Sequence, residues 1–226
     1  MNIMPEIALQ SLIKAGLKSI RENPDVLDEI FSMYTMDRYK VYDGGQPYID
    51  KIKDWFLTNN IPVVQSWSFN PEQLPSISIH LADEVEDTSK AAMGDYLDSY
   101  EDSAGNEYEI GTGVFEVALD IGIHASTEGD YVLWLFYIVQ FIIFAFKTEF
   151  EAAGLQLHTY RASAFNKDSK YMANNIWSRW LRFTATTWNT WIIDTKTKHN
   201  LQLNLEFEST DPNQPDVSIL KINIKE

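Results

Sequence analysis

Phe115-Glu116-Val117-Ala118-Leu119-Asp120-Ile121-Gly122-Ile123-His124 decides the fold. Its odd positions are all apolar and its even positions polar or small, a period of two that gives a β-strand one dry and one wet face. Downstream lies Val132 to Phe146, fifteen residues in which Gln140 is the only strongly polar side chain. A spanning helix needs about 20 apolar residues, and this run is flanked by Glu128 and Asp130 before it and Lys147, Glu149 and Glu151 after it. It predicts a helix buried on nearly all sides within a protein. Thr127-Glu128-Gly129-Asp130 opens it with capping-box spacing, and Gly154 closes it in the position of a C-cap.

Three more segments repeat the strand's parity. Ile77, Ile79 and Leu81 oppose Ser76, Ser78 and His80; Leu155 and Leu157 oppose Gln156, His158 and Tyr160; Leu181, Phe183 and Ala185 oppose Arg182, Thr184 and Thr186. Together they read as one antiparallel or mixed sheet with a wet face and a dry face, the long helix lying on the dry one. The back of that helix also needs cover. Leu9, Leu12, Ile13, Leu17 and Ile20 recur at helical spacing, and Asn23-Pro24-Asp25 starts a second helix carrying Val26, Leu27, Ile30, Phe31 and Tyr34. A third helix starts at Pro47, buries Ile49, Ile52, Trp55 and Phe56, and stops at Asn59-Asn60 ahead of Pro62. Asp37 to Gln46, with its Gly44-Gly45 turn, marks a boundary. At the other end Leu201, Leu203, Leu205 and Phe207 face Leu220, Ile222 and Ile224 across Asp211-Pro212-Asn213-Gln214-Pro215, which reads as a hairpin.

The expected fold class is therefore α+β: an antiparallel or mixed sheet, one long buried helix on its inner face, N-terminal helices covering that helix, and a C-terminal β-hairpin. The expected divisions are an N-terminal helical extension (1–45), an α+β core (46–193) and the hairpin (194–226). An isolated hairpin is marginal in water, so this one must pack on the main body or on a neighbouring chain.

The chain has 226 residues, 45% of them hydrophobic and 23% charged, a composition of globular rather than disordered chains. Its formal charge of −15 repels a phosphate backbone, which disfavours tight nucleic-acid binding. The absence of cysteine removes disulfides, thiolate zinc sites and cysteine nucleophiles. Met1-Asn2-Ile3-Met4-Pro5-Glu6 has no basic segment before a long apolar core, so the chain reads as folded in a cytoplasm. The largest departure from background is Asp83 to Glu109, where Asp83, Glu84, Glu86, Asp87, Asp95, Asp98, Glu101, Asp102, Glu107 and Glu109 meet Lys90 alone, a net charge of −9. This segment predicts a solvated acidic loop, partly ordered through Tyr96, Leu97 and Tyr100.

Catalytic signatures are nearly absent. There is no G-x-S-x-G, no G-x-x-x-x-G-K-[ST], no G-x-G-x-x-G and no H-E-x-x-H. Gly111-Thr112-Gly113 precedes a strand, so it is a lead-in rather than a dinucleotide loop. The acidic segment lacks the D-x-[DN]-x-[DN]-G order of a calcium loop. One constellation could do chemistry: His80, His124 and His158 share the even face with Asp120, and adjacent strands would bring three imidazoles and a carboxylate to a metal that activates water. Trp177, Trp180, Trp188 and Trp191 with Arg179 and Arg182 form an aromatic and arginine group of the kind enriched at interfaces. These tryptophans fall on both parities, so both faces of their strand need cover, and a neighbouring chain would supply it.

Leu74-Pro75-Ser76-Ile77-Ser78-Ile79 leading into the acidic segment, Gly113-Val114 continuing through His124-Ala125, and the helix end Phe150-Glu151-Ala152-Ala153-Gly154-Leu155-Gln156-Leu157 together resemble the head-to-tail connector proteins of long-tailed bacteriophages, the tail-terminator and neck-protein group. The resemblance covers residues 46 to 193. It implies a small α+β protein without catalysis or cofactor, assembled in the host cytoplasm into a homo-oligomeric ring, commonly a hexamer, at the neck or upper tail of the virion. Its partners would be itself and other neck, connector or tail-tube proteins, with DNA only in transient passage through an acidic lumen. Two other readings stay open: a metal-dependent hydrolase using His80, His124, His158 and Asp120, and an acidic adaptor that binds a basic partner through residues 83–109.

Overall fold

Apolar spacing at three and four residues builds the helices, and alternation builds the strands around them. The computed structural model describes residues 4–33, 47–65, 74–91, 93–126, 129–163, 166–167, 176–194, 203–209 and 218–224. The elements run α1 (Pro5–Glu22), α2 (Val26–Met33), α3 (Tyr48–Thr58), β1 (Val63–Gln65), β2 (Ser76–Glu86), β3 (Asp95–Glu101) and β4 (Glu107–Ser126). They continue with α4 (Gly129–Ala145), α5 (Lys147–Ala152), β5 (Leu155–Ala162), β6 (Asn166–Lys167), β7 (Ile176–Asp194), β8 (Leu203–Ser209) and β9 (Ser218–Ile224). The boundary expected at Asp37 to Gln46, the capping pair Thr127-Glu128 and the connection at 211–215 lie outside the described residues. None of the described helices is long and apolar enough to cross a membrane.

Two compact units are formed, one by Ile3–Glu86 with Phe115–Trp188 and one by Asp87–Val114 with Asn189–Glu226. The first is mixed α+β. Its sheet has the order β1-β2-β4-β7-β5. β1 pairs with β2 in parallel, while β2–β4 and β5–β7 are antiparallel, so the sheet is mixed. The odd residues of β4, Val117, Leu119, Ile121 and Ile123, are buried together with Ile77 and Ile79 of β2 and Leu181, Phe183 and Ala185 of β7.

The helices share that core. Helix α4 buries Val132, Trp134, Leu135, Phe136, Ile138, Val139, Ile142 and Ile143, positions spread around most of its circumference. Both α1 and α2 contact it, and α1 also contacts β1 and β2. The closest approach is at Gly16 of α1, where an added Cβ would come within 2.5 Å of Ile142. On the α3 side, Trp134 Nε1 donates to the Tyr48 hydroxyl at 2.9 Å, and Trp55 stacks on Tyr131 with centroids 5.0 Å apart. Gln10 donates to the Val63 carbonyl at 2.7 Å and Arg21 to the Asn59 carbonyl at 2.7 Å, tying α1 to both ends of the α3–β1 link. Lys53 of α3 meets Asp28 of α2 at 2.6 Å.

Three expectations need correction. The apolar helix ends at Ala145 instead of running to Gly154: Phe146 takes a non-helical conformation (φ −101°, ψ 24°), and the chain restarts as α5. The break lets Phe150 turn into the core, and Gly154, at φ +87°, makes the left-handed exit that glycine tolerates best. Second, the wet face of the sheet is partly dry, because Ser76, Ser78, His124, Ser178 and Thr186 are all buried. Third, the acidic segment is not a loop. β2 runs on to Glu86, β3 pairs antiparallel with the first part of β4 from Asp95↔Thr112 to Glu101↔Glu107, and among the described residues only 87–91, 93–94 and the tip at 102–106 are irregular. All seven residues of β3 are exposed. With neither face buried, nothing selects apolar residues at alternate positions, so the period of two never appears in the sequence.

In the second unit β8 and β9 pair antiparallel from Leu203↔Ile224 to Ser209↔Ser218. The side chains expected to form their apolar face lie outside the described residues.

The α1–α4 contact yields a test. Gly16→Val should overpack the seam at Ile142 and destabilise the protein by about 2 kcal/mol, since extra methyl groups in a filled core typically cost 1–3 kcal/mol. A lowered urea midpoint with an unchanged slope is the expected readout; an unchanged midpoint would show that the seam has room.

Candidate functional site

The register of β2 on β4 sets the polar face. Ser76 lies opposite His124, Ser78 opposite Gly122 and His80 opposite Asp120. Ser78 Oγ lies 2.8 Å from His124 Nε2, and Ser178 Oγ of β7 lies 2.8 Å from His124 Nδ1, so both ring nitrogens are engaged by hydroxyls from the two flanking strands. Trp180 covers the cluster, its ring centroid 5.4 Å from His124 and 5.6 Å from His80. Glycine at 122 is required here, because a Cβ would come within 2.7 Å of His124, Ser78 and Trp180 alike.

Burial governs the titration of this cluster. Desolvation, with a smaller push from the neighbouring His80, lowers the His124 pKa to about 4. His80 is lowered too, chiefly by burial, with the Asp120 carboxylate pulling the other way. A neutral imidazole can donate from one nitrogen and accept at the other, which suits two hydroxyls that each can do either. His124 therefore ties three strands together as a neutral polar rivet.

The four residues read as a metal set do not converge. His80, His124 and Asp120 share one region, but β7 separates β5 from β4, and a register shift falls between Leu157 and Thr159. His158 bonds the Thr186 hydroxyl at 2.5 Å and lines a groove with Ile143, Phe144 and Lys147. Asp120 is occupied by Arg182, which donates to both carboxylate oxygens at 2.6 Å from Nε and Nη2. Among the described residues no group of three or more His, Cys, Asp or Glu side chains is arranged to hold a metal ion.

The aromatic and arginine group is dispersed along β7. Trp177 packs half-buried against the core, and Arg179 places its guanidinium 3.6 Å from the ring centre of Phe136 on α4. Trp188 is 51% exposed. Trp191, in the second unit, lines a groove with Met93, Tyr96, Glu109, Ile110 and Ile193. Beside the Asp120–Arg182 pair a groove of about 270 Å³ opens, bordered by Arg161, Ser163 and Trp180. Arg161 lies directly opposite Arg182 in the β5–β7 ladder, a position that the strand parity alone did not single out.

The acidic candidates separate into two kinds. Asp102 caps the tip: its Oδ1 accepts from the amides of Ala104 and Asn106 at 2.8 and 2.9 Å, and its Oδ2 accepts from the Asn106 side chain at 2.9 Å. These bonds, led by the Asn106 side chain, hold its pKa below the ordinary carboxylate value. Asp87 is held low in the same way by Ser89 and Lys90. Both are turn-formers. Asp83, Glu84, Asp95, Asp98 and Glu101 are exposed along β2 and β3, with Glu86 at the half-buried end of β2. Met93, Tyr96, Leu97 and Tyr100 are exposed among them.

Compared with models of known protein families and with curated proteins, the chain matches none.

The buried imidazole predicts an acid-sensitive fold. Its pKa is 6.5 when exposed and about 4 when folded, so the unfolded chain takes up the proton first and stability falls as pH drops below 6.5. Between pH 7.5 and 5 His124 alone should remove about 2 kcal/mol, and His80 should add to the loss in the same direction. Urea midpoints across this range should decline in the wild type and flatten in His124→Gln, whatever that variant's stability at pH 7.5. Equal slopes would remove His124 from this role.

Proposed function

We propose that the chain is a structural assembly protein, forming a homo-oligomeric ring at the neck or upper tail of a long-tailed phage and letting DNA pass without adhering to it. The observation that carries this reading is strand β3, whose residues are all exposed and include Tyr96 and Leu97. A small strand ribbon wet on both faces is marginal in water, and exposed aromatic and aliphatic side chains on it favour a neighbour that covers them. The surplus negative charge along β2 and β3 suits a channel through which a polyanion slides, because like charge prevents phosphate contacts.

On this reading the long helix α4 is the inner layer of each subunit, with the N-terminal helices behind it. The C-terminal strands form a hairpin that packs on the body or on the next subunit. The ring, a hexamer in the group the sequence resembles, joins the tail tube to the head connector within the virion. No cofactor and no catalytic step is required of it. Trp188 and the exposed acids are its interface or lumen residues, while Asp87 and Asp102 shape the turns that present them.

Sedimentation and negative-stain imaging of the purified chain, alone and with tail-tube or connector proteins, test this reading. Closed rings of a defined subunit number are expected. A folded monomer under all of these conditions would overturn it.

A further inference from the structure

Two strand edges in this protein carry like-charge pairs of opposite sign. β5 ends the sheet order of the first unit, and among the described residues no strand pairs with its outer side. Thr159, Tyr160, Arg161 and Ala162 on it are exposed. Arg161 lies directly opposite Arg182. Like charges directly opposed across a ladder destabilise it. Arg182 is neutralised by its two-bond contact with Asp120, whereas the Arg161 guanidinium makes no hydrogen bond or ion pair with a described residue. Asp120 thus binds Arg182, and Arg182 faces Arg161 on a strand with no further strand beside it among the described residues.

The second edge is β3, which pairs only with β4 among the described strands. There Glu101 lies directly opposite Glu107, again a like-charge pair with one member on an open edge. The two edge residues, Arg161 and Glu101, are opposite in charge. An unpaired edge offers a row of free backbone donors and acceptors to any added strand, and strand addition supplies affinity through the main chain while side chains set the register.

From this the geometry points to strand addition between copies: β3 of one copy pairs with the outer side of β5 of a second copy, with Glu101 of the first beside Arg161 of the second. The pairing would set an acid beside Arg161 and a base beside Glu101, so that each like-charge pair gains an opposite charge on its outer side. Because the two edges differ, the contact is head-to-tail, and a head-to-tail contact that closes makes a ring. The inference rests on the assembly reading above and supplies its contact.

The test uses the full chain and three variants, Arg161→Glu, Glu101→Arg and the two combined. Both positions are exposed, and an unchanged circular dichroism spectrum and thermal melt will show that each variant folds. Sedimentation over a concentration series should show that each single variant needs at least a tenfold higher concentration to associate, and that the double variant returns to within about threefold of the wild type. Wild-type association with single variants that associate equally well would overturn the Arg161–Glu101 contact while leaving the ring reading intact. Loss in the single variants without recovery in the double would also overturn it. A wild type that never associates would overturn both readings.

Discussion

Helix α4 has no polar side to give to water, and the first unit is arranged around that constraint. An amphipathic helix can rest on a sheet with its other face solvated, but one buried at Val132, Trp134, Leu135, Phe136, Ile138 and Ile142 needs walls in several directions. The dry face of the sheet is one wall, and α1, α2 and the aromatic contacts from α3 are the others. The approach of α1 is close enough that Gly16 leaves no room for a side chain over Ile142. Consequently the N-terminal helices belong to the same compact unit as the sheet.

Burial on both sides of a strand changes what its polar residues do. Ser78, His124 and Ser178 would be solvated on a half-open sheet; under Trp180 they satisfy one another. A buried polar group without partners costs roughly 1–3 kcal/mol, so each member of this trio depends on the other two. His124 is buried, and both of its ring nitrogens contact hydroxyls, those of Ser78 and Ser178, which donate or accept as the tautomer requires.

How far the sequence could be read follows from where the two faces of a strand differ in chemistry. The parity of Phe115 to Ile123, of Ile77 to Leu81 and of Leu181 to Ala185 was legible because one face of each strand packs on helices. The β3 arm was not, since its backbone is paired while its side chains face water on both sides. The histidine set was legible as a shared parity, yet parity says nothing about strand order, and β7 lies between β5 and β4. The break at Phe146 was hidden because the residues on either side of it are compatible with a continuing helix. Arg161 escaped notice because its meaning comes from the residue opposite it.

The Asp102 tip has a kinetic consequence. Its carboxylate gathers the amides of Ala104 and Asn106, and Tyr100 stacks on Tyr108 just behind it with centroids 5.1 Å apart. The arm thus holds its bend before any encounter, and little chain entropy remains to be lost when another surface meets it. If β3 adds to another strand as inferred above, its capture should behave like rigid-body collision, governed by orientation and ionic strength, with no lag for local folding.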